Sequence, residues 1–83
     1  MKGKREIPPY IGWNMVYYRQ KHSLTQEMLC RVLHMTRSTY AYYETGKTLP
    51  SVMLLKELAQ YYHISLDELL DETLENRVKW SLL

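Results

Sequence analysis

The sequence predicts an all-α fold of five short helices, and three observations predict it. Good N-capping residues (Thr25, Thr36, Ser51 and Ser65) each stand just ahead of an apolar stretch. Within those stretches the apolar positions fall three and four apart, the spacing of a helix face. Strand signals are poor: apolar/polar alternation never runs long, and no Asn-Gly or Asp-Gly pair occurs. The 83 residues suffice for one small domain.

Residues 1–9 read as a basic arm carrying Lys2, Lys4 and Arg5 and ending in Pro8-Pro9, a pair that can lead into a helix. The first helix runs from about Tyr10 to Lys21, with Ile11, Met15 and Tyr18 on one face. Trp13, on the same helix, suits either core or surface. Ser23-Leu24-Thr25 breaks the run. Thr25 then caps a second helix, Gln26–Leu33, with Glu27 in the first turn, where an anion suits the helix dipole. Its inner stripe is Leu29, Cys30 and Leu33. After His34-Met35, Thr36 caps a third helix, Arg37–Thr45, which Gly46 ends. Ser51 caps a fourth helix to about Tyr62, with Leu54, Leu55, Leu58, Ala59 and Tyr62 facing in. Ser65, followed by Asp67 and Glu68, starts a short fifth helix, Leu66–Leu70. The tail, residues 71–83, is expected to be a sixth helix or a fraying end, since Leu70, Leu74, Val78 and Leu82 recur four apart. The expected division is a basic arm over residues 1–9, a helical domain over 10–70 and a tail over 71–83 that dimerises, docks a partner or folds back.

Composition narrows the function. Hydrophobic residues at 46% and charged residues at 24% argue against wholesale disorder. A single cysteine permits no intrachain disulfide and points to a reducing, cytoplasmic home. No apolar run approaches the roughly 18 residues of a membrane span, so no membrane partner is expected. The start, MKGKRE, is basic, but the IPPYIGWN that follows is no signal-peptide core. The net charge of +2 hides an asymmetry: residues 1–50 hold eight Lys/Arg against three Asp/Glu, and residues 51–83 hold three against six. The first half would be drawn to a polyanion and the second repelled by it. Neither a catalytic triad nor a paired-carboxylate, P-loop or Gly-rich nucleotide set appears, so no enzyme and no cofactor are expected. Cys30 and His34, with His22 nearby, fall short of a metal's three or four ligands, and no metal is expected.

The informative stretch is Thr25 to Glu44, TQEMLCRVLHMTRSTYAYYE. Two capped helices of about two turns, separated by three residues, match helix-turn-helix geometry. At about 100° per residue the third helix turns Tyr40 and Tyr43 to one side and Ser38, Ala41, Tyr42 and Thr45 to the other, with Arg37 at the edge. That outer face is short, polar and free of acids, so it can lie in a major groove without repelling phosphate.

Ile11 to Leu70 resembles the lambda-repressor-like, Cro-type (XRE) helix-turn-helix family. The matching words are IGWN…R in the first helix, LTQE opening the second, TRST opening the third, YETGK closing it and LPS…LKELAQYYHISLDELL behind. The resemblance implies a five-helix DNA-binding domain, usually a transcriptional regulator that binds a pseudo-palindromic operator as a dimer. It also implies roles. Gln26 would anchor a phosphate, with Thr25 capping beside it. Arg37, Ser38 and Tyr42 would reach base edges, with Thr39 and Ala41 near the groove. Thr45 and Lys47 would touch the DNA backbone, and Arg19 and Glu44 would form a buried ion pair tying the first helix to the third.

The chain departs from the family pattern in its turns and core. His34 and His63 stand where glycine is usual, at positions expected to need positive φ. Cys30 replaces a common alanine. Tyr40 and Tyr43 replace aliphatic or Trp positions of the third helix, so the core must repack around rings whose hydroxyls need solvent or a partner. The leading expectation is a bacterial or phage repressor that occupies an operator as a homodimer. The alternative is a protein-interaction module, antitoxin-like or a regulator's partner, that uses residues 70–83 or the tyrosine-rich face and binds DNA secondarily.

Overall fold

Helix boundaries follow the capping residues. The computed structural model describes residues 8–81, so residues 1–7 of the basic arm, with Lys2, Lys4 and Arg5, and the terminal Leu82 and Leu83 lie outside the described residues. The elements are α1 (Pro9–Lys21), α2 (Gln26–Leu33), α3 (Arg37–Thr45), α4 (Val52–Tyr62), α5 (Leu66–Leu69) and α6 (Leu74–Ser81). Among the described residues there is no strand. Pro9 occupies the first turn of α1, where its missing N–H costs nothing. The Oγ1 of Thr25 accepts from the Met28 N–H at 3.1 Å, that of Thr36 from the Thr39 N–H at 3.3 Å, and the Oγ of Ser51 from the Leu54 N–H at 3.1 Å. Ser65 forms a full capping box: its Oγ accepts from the Glu68 N–H at 3.0 Å, and the Glu68 Oε1 accepts from the Ser65 N–H at 2.8 Å. That box lets α5 exist as a single turn, ending at Leu69 rather than Leu70.

The tail is a sixth helix that folds back. α6 packs against α1, burying Leu74 and half-burying Val78. Asp71 opens the turn by accepting from the Thr73 N–H at 2.8 Å, and Arg77 reaches back to the same carboxylate. Leu66, Leu69, Leu70, Leu74 and Val78 all belong to the core or pack on it, which leaves Trp80, 74% exposed, as the large apolar side chain α6 turns to solvent.

α1 is the hub of the fold, touching α3, α5 and α6. Ile11, Met15 and Tyr18 are buried along it, as their spacing predicts, while Trp13 is half-buried and stacks on Tyr17 with ring centroids 5.5 Å apart. Two smaller residues set its neighbours' distances. A Cβ placed on Gly12 would sit 2.2 Å from the carbonyl oxygen of Glu44, so α3 crosses α1 where only hydrogen fits. Asn14 is fully buried, and its Nδ2 donates to the carbonyls of Leu69 and Asp71, each at 2.9 Å. It thereby satisfies the Leu69 carbonyl at the end of α5 and the Asp71 carbonyl just beyond it, while its own Oδ1 is buried without a partner.

The turns carry strain in the expected places and one more. His34 (φ 57°) and His63 (φ 58°) are left-handed, as is Ser23 (φ 57°), which sequence reading treated only as a break. An L-residue pays roughly 1–2 kcal/mol for that conformation. Glycine returns about half of this through its larger entropy loss. His63→Gly is therefore expected to stabilise the fold by about 0.5–1 kcal/mol, read as a rise of a few degrees in Tm. Gly12→Ala should act the other way, losing about 1–3 kcal/mol through overpacking despite alanine's better helix propensity. An unchanged Tm in Gly12→Ala would mean that α1 and α3 can part freely.

Candidate nucleic-acid interface

α3 has one side for the core and one for solvent. Tyr40 is fully buried and Tyr43 half-buried, their rings meeting edge to face at 6.5 Å. Arg37, Ser38, Thr39, Tyr42 and Thr45 are exposed, and Ala41 is half-buried between the two sides. The one carboxylate of α3, Glu44, points inward, away from that outer surface. The ring hydroxyls depart from expectation. Those of Tyr40 and Tyr62 are buried without a hydrogen bond of good geometry. Burial foremost, with Glu44 next, raises the pKa of both phenols well above its ordinary value. The core tolerates these orphan hydroxyls because rings fill its volume: Tyr62 stacks on Tyr18 at 5.9 Å and lies 4.8 Å from the His22 ring.

Glu44 holds the motif in position. Arg19 grips it with two prongs, Nε donating to Oε2 at 2.7 Å and Nη2 to Oε1 at 3.1 Å, while Nη1 donates to the Leu24 carbonyl at 2.8 Å. The Gln26 Nε2 donates to Glu44 Oε1 at 2.8 Å. The side chains of Arg19 and Glu44 are 12% and 4% exposed, so one nearly dry carboxylate joins α1, α2, α3 and the turn between the first two. Burial by itself would raise the Glu44 pKa; donation from Arg19 foremost, and from Gln26, outweighs it and holds the carboxyl below its usual range.

The remaining sequence-predicted residues surround the two ends of α3. Thr25 is exposed at the start of α2, and half-buried Gln26 beside it keeps one amide hydrogen free of Glu44. At the far end, the Thr45 Oγ1 donates to the Tyr42 carbonyl at 3.3 Å, and Lys47 is exposed just past Gly46. Arg37, Gln26, Thr25 and Arg19 share a shallow groove with Glu27. Glu27 also lines the neighbouring groove beside Arg37 with Cys30, His34 and Met35. Sequence reading missed this acid next to Arg37 because it arrives from α2, not from the face of α3. It also missed Gly12 and Asn14; their only signal was a small and a polar residue among the apolar positions of the first helix. Cys30 is a buried thiol whose Sγ faces the Thr36 carbonyl at 3.8 Å, and burial raises its pKa. Among the described residues no three His, Cys, Asp or Glu side chains converge as metal ligands, and no helix is long and apolar enough to cross a membrane.

Residues 16–69 match the helix-turn-helix family profile. The chain belongs to the XRE-type helix-turn-helix family. An uncharacterized HTH-type transcriptional regulator of Methanocaldococcus jannaschii is 36% identical over 53 residues, covering 64% of this chain and 80% of that protein. No solved structure matches the chain. Membership of the XRE-type family supports DNA-binding transcription regulation as the general role. The matched span begins within α1 and takes in α2, α3, α4 and α5 whole.

Glu44→Ala leaves Arg19 buried and unpaired and is expected to cost about 3–5 kcal/mol, most of the stability of a domain this size. Acid should reveal the same carboxylate. Because its folded pKa is depressed, its contribution is whole above the ordinary glutamate value of about 4.3, falls as pH drops below that, and is gone beneath the folded pKa. Tm measured from neutral pH down through that window should fall more steeply for wild type than for Glu44→Gln. Parallel curves would place Glu44's titration outside the folding equilibrium.

Proposed function

We propose that the chain is a transcriptional repressor that occupies a double-stranded operator, with α3 lying in the major groove. The observation that carries this reading is the open outer face of α3: Arg37, Ser38, Thr39, Tyr42 and Thr45 stand exposed, and the terminal helix packs on α1 instead of covering them. In this reading Arg37 reaches guanine O6 and N7, Ser38 and Tyr42 meet neighbouring base edges, and Thr39 and Ala41 line the groove. Gln26, steadied by Glu44, offers its second N–H to a phosphate beside Thr25, while Thr45 and Lys47 hold the backbone at the other end. The basic first half of the chain, which holds α1, α2 and α3, is attracted to the DNA and the acidic second half is repelled by it. Two copies bind a pseudo-palindrome with half-sites about 34–36 Å apart.

A second reading makes the domain a protein-interaction module. Trp80, 74% exposed on α6, favours it, since a large ring left in solvent is a usual anchor for a partner.

Selection of bound DNA from a random pool separates the two. The repressor reading expects a two-fold symmetric site enriched by wild type, and a loss of about 1–3 kcal/mol with relaxed preference at one base pair for Arg37→Ala. Affinity should also fall with added salt, its logarithm changing by about −0.9 per neutralised phosphate for each unit of log salt. No enrichment, or affinity that ignores salt, overturns the repressor reading.

A further inference from the structure

The end of α3 closes in a way that ties two of its residues together. Gly46 takes the left-handed conformation, φ 83°, and the chain folds back across the last turn. The Lys47 N–H donates to the Tyr42 carbonyl at 2.9 Å and the Thr48 N–H to the same oxygen at 3.3 Å, beside the Thr45 hydroxyl. That reversal sets residue 47 over residue 42. The Lys47 Nζ lies 4.3 Å from the centroid of the Tyr42 ring, within the range of a cation–π contact. Both side chains are exposed, so the ring covers one side of the ammonium and leaves the other open.

We infer that Tyr42 is a positioning residue for Lys47: its ring face holds the ammonium over the C-terminal end of α3, where a DNA phosphate takes the open side. The inference rests on the DNA-binding reading above and changes the part Tyr42 plays in it, from reading a base to holding a backbone clamp. A lysine head is a point charge on a flexible four-carbon stem, and fixing it in one place costs rotamer entropy. The ring and the Gly46 turn meet that cost before DNA arrives. Binding is thereby preorganised at one phosphate, and the outer face of α3 is held in register with the backbone. The π face does this work, so the phenol oxygen is dispensable.

The test uses the full chain with Tyr42→Leu, Tyr42→Phe, Lys47→Ala and the Tyr42→Leu/Lys47→Ala double variant, each checked by circular dichroism for a wild-type melt. Without DNA, the ring should shift the Lys47 ε-methylene protons upfield in the NMR spectrum of wild type and Tyr42→Phe, and the shift should vanish in Tyr42→Leu. With DNA, Tyr42→Leu should lose roughly two- to fivefold in affinity. Its plot of log affinity against log salt should flatten by up to about 0.9, on selected and random duplexes alike. Lys47→Ala should flatten it as much, the double variant no further, and Tyr42→Phe should restore the slope. A Tyr42→Leu slope equal to wild type overturns the inference and leaves the repressor reading standing, as does a loss confined to the selected duplex, which marks a base contact. Should Tyr42→Leu melt early, Tyr42→Gln serves the same comparison. Wild type that binds neither duplex overturns both.

Discussion

One nearly dry carboxylate carries the geometry of this protein. Glu44 sits at the inner end of α3, and Arg19 and Gln26 reach it from α1 and α2. A charge there would be costly alone, and it persists because every near neighbour is a donor. The arrangement does more than stabilise. The bidentate fork of Arg19 fixes direction as well as distance, so α3 is held at one tilt and not merely against the core. Gly12 completes the constraint from below, letting the α3 backbone come to rest on α1. Attraction at Glu44 and close approach at Gly12 act on the same two helices, meeting at one residue of α3 and about two turns apart on α1.

Much of the fold was legible because local chemistry and global packing agree. Thr25, Thr36, Ser51 and Ser65 mark helix starts by satisfying N–H groups within their own turn, and such local bonds can be read from spacing. The stripe Leu29, Cys30 and Leu33 was equally plain. What escaped the sequence depends on partners far along the chain. Asn14 is polar at an apolar position, and only the distant carbonyls of Leu69 and Asp71 explain it. The single extra left-handed residue, Ser23, follows from the return path to Leu24, whose carbonyl Arg19 needs. Of the interface, the split of α3 into inner and outer faces was visible from helical phase. Glu27 beside Arg37 was not, since phase within one helix says nothing of its neighbour.

The core of this chain is built largely from tyrosine rings. Rings of Tyr18, Tyr40, Tyr43 and Tyr62, with His22 at the margin, fill the space between α1, α3 and α4 by edge and face contacts. The orphan hydroxyls of Tyr40 and Tyr62 are the cost of using tyrosine there, and burial foremost, with Glu44 next, disfavours their ionised form. Among the described residues the fold accepts three unsatisfied side-chain oxygens, these two and the Asn14 Oδ1, for the sake of volume and shape.

α3 contributes a single wholly buried side chain, Tyr40, to the interior. Anchorage of that helix is thus concentrated in Tyr40, Glu44 and the two caps, Thr36 and Gly46. Its exposed positions, Arg37, Ser38, Thr39, Tyr42 and Thr45, are released from most demands of folding, so they can be rewritten one by one without endangering the scaffold. Changing what that face recognises, whether by evolution or by engineering, then becomes a question of surface chemistry alone.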